Sequence, residues 1–259
     1  MISKEELERY KRIVKLNLGQ AEIAYFQSVV LFILYKSIGR ELIFKGGTAL
    51  NKCYGLDRFS KDLDFTLSNK IIKEDKEIQK IEAQKFKEIL IKGLTDFLID
   101  FELEEKLYKN GFRFIIRIKG PLYTGNRFSL CRLELDISLR EKIILEPEIR
   151  RIGRFLEELP IFDVIVMKEE EILAEKIRAI ITRNYARDLY DLWFLIENEV
   201  PINTDFINKK LSFYNETFNS KIFKKCIEKK KTIWKEELTP LLPRIIDFNK
   251  VKKIILSKF

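Results

Sequence analysis

The chain has 259 residues, enough for one large domain or two small ones, and 46% of them are hydrophobic, as in a globular protein. Its 49 basic and 40 acidic residues give a net charge of +9, which favours an acidic partner such as nucleic acid or a nucleotide. Histidine is absent, which excludes His-ligated zinc, a Ser-His-Asp triad and a Cys-His dyad. Any chemistry therefore depends on carboxylates, lysines, arginines, hydroxyls or a hard cation with oxygen ligands.

Three cysteines without a metal-binding spacing indicate a reduced, cytoplasmic protein without a disulfide framework. No signal peptide is expected, because Met1 is followed by Ile-Ser-Lys-Glu-Glu rather than by a basic region and an apolar block. The most apolar stretch, residues 23–38, is interrupted by Gln27 and Ser28. It predicts a buried helix rather than a membrane span.

The first third of the sequence alternates helix and strand patterns. Ser3 and Glu6 have the spacing of a capping box, which predicts that the first helix begins there. The apolar pattern then predicts a helix over 22–39, a strand over 41–45, a short helix over 46–55 ended by Gly55, a half-buried strand over 62–67 and an amphipathic helix over 73–99.

Three further strands are predicted before the pattern becomes helical. Strands over 101–108 and 112–120 flank Lys109-Asn110-Gly111, an Asn-Gly hairpin signal, and a third strand covers 128–139. From Val164 onward the pattern is helical. This order predicts an α+β protein with a mixed α/β part, including the N-terminal helices, over 1–163 and a helical domain over 164–259.

Paired carboxylates are the first chemical signal. Asp62 and Asp64 are two apart in a predicted strand and therefore project from the same face, where burying them together is costly without a cation. Glu134 and Asp136 share one face of another predicted strand. If the strands pair, three acids can hold Mg²⁺ together with nucleotide phosphates. Each pair alone also fits a hydrated strand end or a solvated strand face.

A glycine pair is the second signal. Gly46 and Gly47 follow a strand and open a helix, where backbone N–H groups can bind phosphate and Thr48 can add a hydroxyl donor. Tight turns use the same residues, so this signal is weak alone.

The segment GGTALNKCYGLDRFSKDLDF resembles the first motif of the AbiEii/AbiGii toxin nucleotidyltransferases, a family that includes the MenT-type toxins. That motif is a Gly-Gly or Gly-Ser pair, a short helix and then Arg-x-Ser-x-Asp-x-Asp. The matching residues are Gly46, Gly47, Thr48, Arg58, Ser60, Asp62 and Asp64. The resemblance implies a DNA-polymerase-β-like nucleotidyltransferase fold with a mixed sheet, followed by a C-terminal helical bundle. It also implies that the glycines hold the triphosphate and that the aspartates hold metal.

The later segment ILAEKIRAIITRNYARDLYDLWFL is similar to the family's other motifs, a lysine-rich helix followed by Arg-Asp-x-x-Asp-Leu. Lys176 matches the motif lysine, and Arg183, seven residues on, lies on almost the same helical face. Asp188 and Asp191 share a face of the next helix. Such cations can contact phosphates, and such acids can orient them or accept a proton from an attacking hydroxyl. In isolation these residues also fit an interhelical salt-bridge network.

The resemblance implies a nucleotidyltransferase that uses NTP and Mg²⁺ or Mn²⁺ and acts as the toxin of a toxin–antitoxin pair. Asp62 and Asp64 are the implied metal ligands, with Asp136 favoured over Glu134 as the third. Lys176 and Asp188 complete the implied catalytic set, with Asp191 as the other candidate for the working acid. The implied nucleotide-binding residues are Gly46, Gly47, Thr48, Arg58, Ser60, Arg183 and Asp191.

Relatives transfer nucleotides to the 3′ end of tRNA, so tRNA or another RNA is the expected acceptor and an antitoxin protein the expected partner, with no membrane involved. Two alternatives stay open: a nucleotide-binding toxin that phosphorylates or nucleotidylates a protein, and a non-catalytic RNA- or partner-binding module. The intact Asp-x-Asp argues against the second.

A lysine-rich segment over 208–235 contains nine lysines and two acids, a local net charge of +7. It could hold an RNA backbone. The alternative is a solvated helix, and the aromatic residues interleaved with the lysines are expected to face the core rather than to stack on bases.

Overall fold

The computed structural model describes residues 2–67, 76–140, 142–153 and 159–259. The chain forms two compact units. The first, which we call the sheet unit, comprises Met1–Cys53, Lys61–Lys142 and Pro147–Val166. The second, the helical unit, comprises Tyr54–Ser60, Ile143–Glu146 and Met167–Phe259. The division into domains 1–163 and 164–259 stays a prediction.

Helices in the first part of the chain follow the capping signals. The capping box of Ser3 and Glu6 is present, as predicted. A second box, in which Asn17 accepts from the N–H of Gln20, starts the next helix four residues before the predicted position. Gly55 follows the short helix with φ +82°, as expected of a helix stop. Positions 73–75 of the predicted long helix lie outside the described residues. The bounds are α1 Lys4–Val14, α2 Leu18–Ser37, α3 Gly46–Tyr54 and α4 Lys76–Asp96.

Within the described residues the sheet unit contains one mixed seven-stranded sheet in the order β3-β4-β5-β2-β1-β7-β6. The pairs β2–β5 and β1–β7 are parallel and the other neighbours are antiparallel. The strands are β1 Leu42–Lys45, β2 Leu63–Leu67, β3 Phe101–Tyr108, β4 Gly111–Ile118, β5 Cys131–Ser138, β6 Glu148–Ile152 and β7 Phe162–Val166. The predicted α+β class with a mixed sheet is confirmed.

Two strands were not predicted, and the expectation that the pattern turns helical at Val164 was wrong. Residue Val164 lies inside β7, which ends at Val166, and the next helix begins at Glu169. The edge strand β6 has only one buried residue, Ile152, so it carries almost no apolar signal. The hairpin also differs from the prediction. Tyr108 pairs with Gly111, which makes Lys109 and Asn110 a two-residue turn and places Gly111 in β4.

One face of the sheet is apolar and buried, with Leu63, Phe65, Leu135 and Ile137 at 0% exposure. Helices α2 and α4 pack together in this unit, and α2 packs on β5. Among the described helices, α2 is long and apolar enough to cross a membrane by length and composition, and 72% of its most apolar stretch is buried inside the protein. Core helices of water-soluble proteins have the same composition, which agrees with the buried helix predicted here.

The helical unit contains the C-terminal helices that the sequence predicts. Their apolar faces form its core, where the ring of Trp234 contacts those of Tyr190 and Phe248. A second aromatic group joins Phe223 to Phe259. The aromatic side chains of the lysine-rich segment are buried or half-buried, as expected. The helices are α5 Glu169–Thr182, α6 Ala186–Glu197, α7 Thr204–Ser212, α8 Ser220–Lys229, α9 Trp234–Leu238 and α10 Phe248–Leu256.

Candidate active site

The glycine turn before α3 lies directly against an aspartate of β2. Gly46 follows the last residue of β1 and has φ +77°, a conformation that residues with a Cβ rarely adopt. A Cβ built on Gly46 would lie 2.3 Å from Oδ2 of Asp64. Position 46 therefore requires glycine both for its backbone conformation and for the close approach of the Asp64 carboxylate.

The first turn of α3 also fixes Asp62. The Thr48 hydroxyl donates to the backbone carbonyl of Asp62, which immediately precedes β2 rather than lying inside it. Gly47 and Thr48 are buried, while Asp62 and Asp64 are half-buried. The glycine turn thus lies against the Asp64 carboxylate, and the start of α3 is hydrogen-bonded to the backbone of Asp62.

Strand pairing aligns four charged residues across the sheet. Asp64 on β2 is the register partner of Lys45 on β1 and of Asp136 on β5. Asp136 is in turn the partner of Arg113 on β4. Residues in register on adjacent strands project from the same face. We call Lys45, Asp64, Asp136 and Arg113 the charged row: two carboxylates side by side with a cation at each end.

Asp136 is held from two directions. Arg113 donates to its Oδ2 from Nε at 3.0 Å and from Nη2 at 2.6 Å, and the Tyr108 hydroxyl donates to its Oδ1. Burial and the negative charge of Asp136 raise the pKa of Tyr108, so this hydroxyl remains a donor. Glu134, the other candidate third carboxylate, lies between Nη1 of Arg113 at 3.1 Å and Nη2 of Arg132 at 2.7 Å.

The sheet unit fits a hard cation that is completed by substrate. Over residues 2–67, 76–140, 142–153 and 159–259, no group of three or more His, Cys, Asp or Glu residues is arranged to hold a metal ion. Mg²⁺ is usually bound through one or two carboxylates, with water and substrate phosphates as its other ligands. The half-buried Asp62, Asp64 and Asp136 supply that donor set. A cage built only from protein ligands is absent from the described part of the chain.

The family motif residues of the helical unit form a buried ion cluster, which we define as Arg58, Lys176, Arg183, Asp188 and Asp191. Lys176 on α5 bridges the two acids of α6, with Nζ 3.1 Å from Asp188 Oδ1 and 2.6 Å from Asp191 Oδ2. The expectation that both acids share one helical face is confirmed by this bridge. Both aspartates have 0% exposure and Lys176 has 6%.

Each acid of the ion cluster also binds an arginine with two hydrogen bonds. Arg58 donates to Asp191 from Nε at 2.5 Å and from Nη2 at 2.7 Å. Arg183, directly after α5, donates to Asp188 from Nε at 2.8 Å and from Nη2 at 2.9 Å. Burial alone would raise the pKa of both carboxylates, but the adjacent cations outweigh it and hold each pKa below its ordinary value.

Exposure separates the two arginines. The side chain of Arg58 is 2% exposed, whereas that of Arg183 is 47% exposed. Arg58 therefore anchors the segment before the aspartate pair to α6 within the helical unit, aided by the bond from Tyr190 to Asp57 at 2.7 Å. Nucleotide contacts by Arg58 and Ser60 stay predictions, and the burial of Arg58 favours an anchoring role.

Sequence reasoning missed Lys45, Tyr108 and Arg113. Lys45 directly precedes the glycine pair, and Arg113 occupies an inter-apolar position of FRFIIRI, which is the only signal for either. The structure brings Asp64 and Asp136 together as predicted and adds these flanking residues.

Several solved structures resemble the chain. MenT4, a nucleotidyltransferase toxin from Mycobacterium tuberculosis, matches with TM-score 0.66 and 15% identity over 100% of this chain and 89% of that one. JHP933 from Helicobacter pylori matches with TM-score 0.57 and 22% identity over 93% and 90%. At these identities the likeness shows the fold alone. No curated protein matches the sequence significantly.

A family model provides the stronger finding. The model of the nucleotidyl transferase AbiEii toxin of type IV toxin–antitoxin systems matches residues 33–252, most of the 259-residue chain. This match includes both segments in which the motifs were recognised. The chain therefore belongs to the AbiEii family of nucleotidyltransferase toxins.

Proposed function

We propose that this nucleotidyltransferase moves a nucleotide from NTP to an RNA acceptor, with the 3′ end of tRNA as the acceptor, and that it depends on Mg²⁺ or Mn²⁺. The observation that carries the proposal is the alignment of Asp64 and Asp136 on β2 and β5, with Gly46 directly against the Asp64 carboxylate. Paired half-buried carboxylates beside a glycine turn are suited to a metal-bound triphosphate.

Asp62 and Asp64 are the proposed metal ligands, and Asp136 assists them. A divalent cation bound there would neutralise the triphosphate and stabilise an in-line displacement. The first turn of α3, with Gly46, Gly47 and the backbone beside Thr48, would receive the phosphates, since N–H groups at a helix start attract anions. The aspartates would hold the cation on the side of the sheet where the phosphates bind.

The proposed transfer forms a bond between the acceptor hydroxyl oxygen and the α-phosphorus of NTP. The bond from that phosphorus to the β-phosphate oxygen breaks, diphosphate leaves, and the hydroxyl proton passes to solvent. In the helical unit, Lys176 and Arg183 would neutralise phosphate charge. Asp188 and Asp191 would position those cations, because their oxygens already bind Lys176, Arg58 and Arg183. This full engagement disfavours either acid as a proton acceptor.

The lysine-rich segment supports an RNA acceptor. It carries +7 of the total net charge of +9, so the remainder of the chain is nearly neutral. Among the described residues, six of its exposed lysines form no side-chain ion pair. They are Lys221, Lys224, Lys225, Lys229, Lys231 and Lys235. Uncompensated cations on one exposed helix face and its continuation bind a phosphate backbone through counterion release.

An antitoxin protein and NTP are the partners that the family membership implies. We place the protein in the cytoplasm, without a membrane partner. The three free cysteines agree with this location.

The test is to incubate the purified protein with Mg²⁺, total tRNA and each NTP in turn, labelled at the α-phosphate in one series and at the γ-phosphate in another, with Asp64→Asn as the inactive control. Label in tRNA with the wild-type protein alone is the expected result. Label in protein would instead favour the nucleotidylation of a protein, and γ-label in protein would favour phosphorylation. Label in neither, with NTP bound normally, would favour a non-catalytic binding module.

The RNA contact has its own measurement. Replacing Lys221, Lys225 and Lys229 by Gln should reduce the slope of log affinity for tRNA against log salt by about 2–3, since each phosphate contact contributes about 0.7–0.9. The matched control replaces Lys76, Lys80 and Lys92 of α4, which are equally exposed. Equal slopes for the two triple variants would contradict an RNA contact at α8.

A further inference from the structure

Arg113, one of the two cations of the charged row, is bound to a carboxylate that is proposed to assist the metal. Asp136 is adjacent to Asp64, yet its Oδ2 already accepts two hydrogen bonds from Arg113. The side chain of Asp136 is 25% exposed and that of Arg113 is 43% exposed. The pair is therefore accessible to solvent and to a ligand, unlike Asp188 and Asp191 of the ion cluster, which have 0% exposure.

Neighbouring groups hold Arg113 in place on this acid. Its Nη1 lies 3.1 Å from Glu134, which is itself bound to Arg132. Tyr108 holds the other oxygen of Asp136. Gly111 makes room for this contact, because a Cβ there would lie 2.7 Å from the Tyr108 hydroxyl and 2.3 Å from the Ile137 carbonyl. Backbone pairing and side-chain bonds together fix the position of the guanidinium.

The positive charge of Arg113 has opposite effects on the binding of a bare metal ion and on the binding of a metal–triphosphate complex. Free Mn²⁺ or Mg²⁺ carries +2 and is repelled by the guanidinium. A complex of the same cation with a triphosphate has a net negative charge and is attracted by it. If a doubly charged cation were bound roughly 6 Å from the guanidinium in water-like surroundings, the repulsion would lower the affinity for the bare metal by about tenfold.

We propose that Arg113 is a positioning residue that holds Asp136 and selects for metal bound to triphosphate over bare metal. This inference rests on the proposed function, since it assumes that Asp64 and Asp136 meet a divalent cation. Its consequence is that Asp136 remains paired with Arg113 until nucleotide and cation enter together. Arg113 then faces the phosphates, and its charge no longer opposes the bound species.

The test measures the affinity of the full chain for two probes by calorimetry: Mn²⁺ alone, and Mn²⁺ with inorganic triphosphate. Arg113→Gln should bind Mn²⁺ alone about tenfold more tightly than the wild type and the triphosphate complex about tenfold more weakly. The matched control is Arg117→Gln, which removes the same charge from the same face of β4, where Arg117 pairs with Glu104 at 2.9 Å. Arg117 lies roughly 13 Å further along the strand, so both affinities should stay unchanged.

The opposite signs distinguish charge selection from damage to the site, which would weaken both probes. Arg113→Lys keeps the charge and should stay close to the wild type for both, which tests the proposal if Arg113→Gln folds poorly. Shifts of the same sign in Arg113→Gln, or a lysine variant that behaves like the glutamine variant, would overturn the proposal. Asp64→Asn separates this from the proposed function: Mn²⁺ binding that survives that substitution unchanged would overturn the metal site itself, and the role of Arg113 with it.

Discussion

Replacing Gly46 by alanine tests the close approach between the glycine turn and Asp64. The substitution adds one Cβ at a residue with φ +77°, where it would lie 2.3 Å from Oδ2 and 3.0 Å from Cγ of Asp64. Gly39 offers a matched control. It has φ +66°, and a Cβ there would meet nothing within 4 Å. The two variants share the backbone strain and differ in the contact with the carboxylate.

The strain and the contact have separable magnitudes. A residue with a Cβ in the left-handed region costs about 1–2 kcal/mol, so both variants should lose about that much free energy of unfolding. Ordinary contact begins near 3.4 Å, so the Gly46→Ala variant must displace the Asp64 carboxylate by about 1 Å. A misplacement of about 1 Å at a reacting centre can reduce the rate by about 100-fold. That loss should be confined to Gly46→Ala.

The assay is the transfer of α-labelled nucleotide to tRNA, with urea denaturation of the same preparations. Gly39→Ala should unfold at a lower urea concentration and transfer normally. Gly46→Ala should be similarly destabilised and about 100-fold slower. The reasoning fails if Gly46→Ala transfers at the rate of Gly39→Ala, because the Asp64 carboxylate would then tolerate the displacement or have no part in the reaction.

The remaining predictions concern buried charges, and each is tested by measuring the free energy of unfolding by urea denaturation. Neighbouring cations hold the pKa of Asp188 in the folded protein below the ordinary 3.8. The contribution of this carboxylate to the free energy of unfolding is therefore complete well above pH 3.8, and it should decrease as the pH falls below 3.8 towards the lowered pKa. A flat profile from pH 5 to 3 would contradict this. Burial lowers the pKa of Lys52 from 10.5 to about 8, so the unfolded chain binds more protons and stability should rise from pH 8 to 10.5. The Lys52→Met variant should lack that rise, and a rise that persists in this variant would refute the assignment to Lys52. Glu171 binds the fully buried Lys210 at 2.6 Å, so Glu171→Gln should cost about 2–3 kcal/mol and Glu170→Gln almost nothing; equal losses would show that the buried pair is not the cause.

The local parts of the site were predictable because their signals lie within one element. Helical spacing placed Asp188 and Asp191 on one face, and Lys176 bridges them as that spacing implies. The alternation in RLELDIS placed Glu134 and Asp136 on one face of β5. One capping box located the start of α1, and one stop glycine located the end of α3. Each inference needed only a period or a short motif.

Cross-strand partners were not predictable because they depend on register. Arg113 and Asp136 are 23 residues apart, and their pairing is set by the alignment of β4 with β5. The same limit applies to the hairpin before them. A turn that included Gly111 would shift the pairing of β3 with β4 by one residue, and such a shift exchanges the two faces of a strand. The two-residue turn keeps Tyr108 beside Gly111, from where its hydroxyl reaches Asp136.

The acid pair of the helical unit and the acid pair beside the glycine turn look alike in sequence, yet they differ in burial and in the cations around them. Asp188 and Asp191 have 0% exposure, and three cations occupy their oxygens, so a metal ion would have to displace buried salt bridges. Removing one of these carboxylates leaves buried cations without a partner, at a cost of about 3–5 kcal/mol. Asp64 is half-buried beside a glycine turn, so Asp64→Asn should change metal binding. Burial and charge balance, rather than the spacing of the acids, therefore distinguish the ion cluster from the proposed metal site.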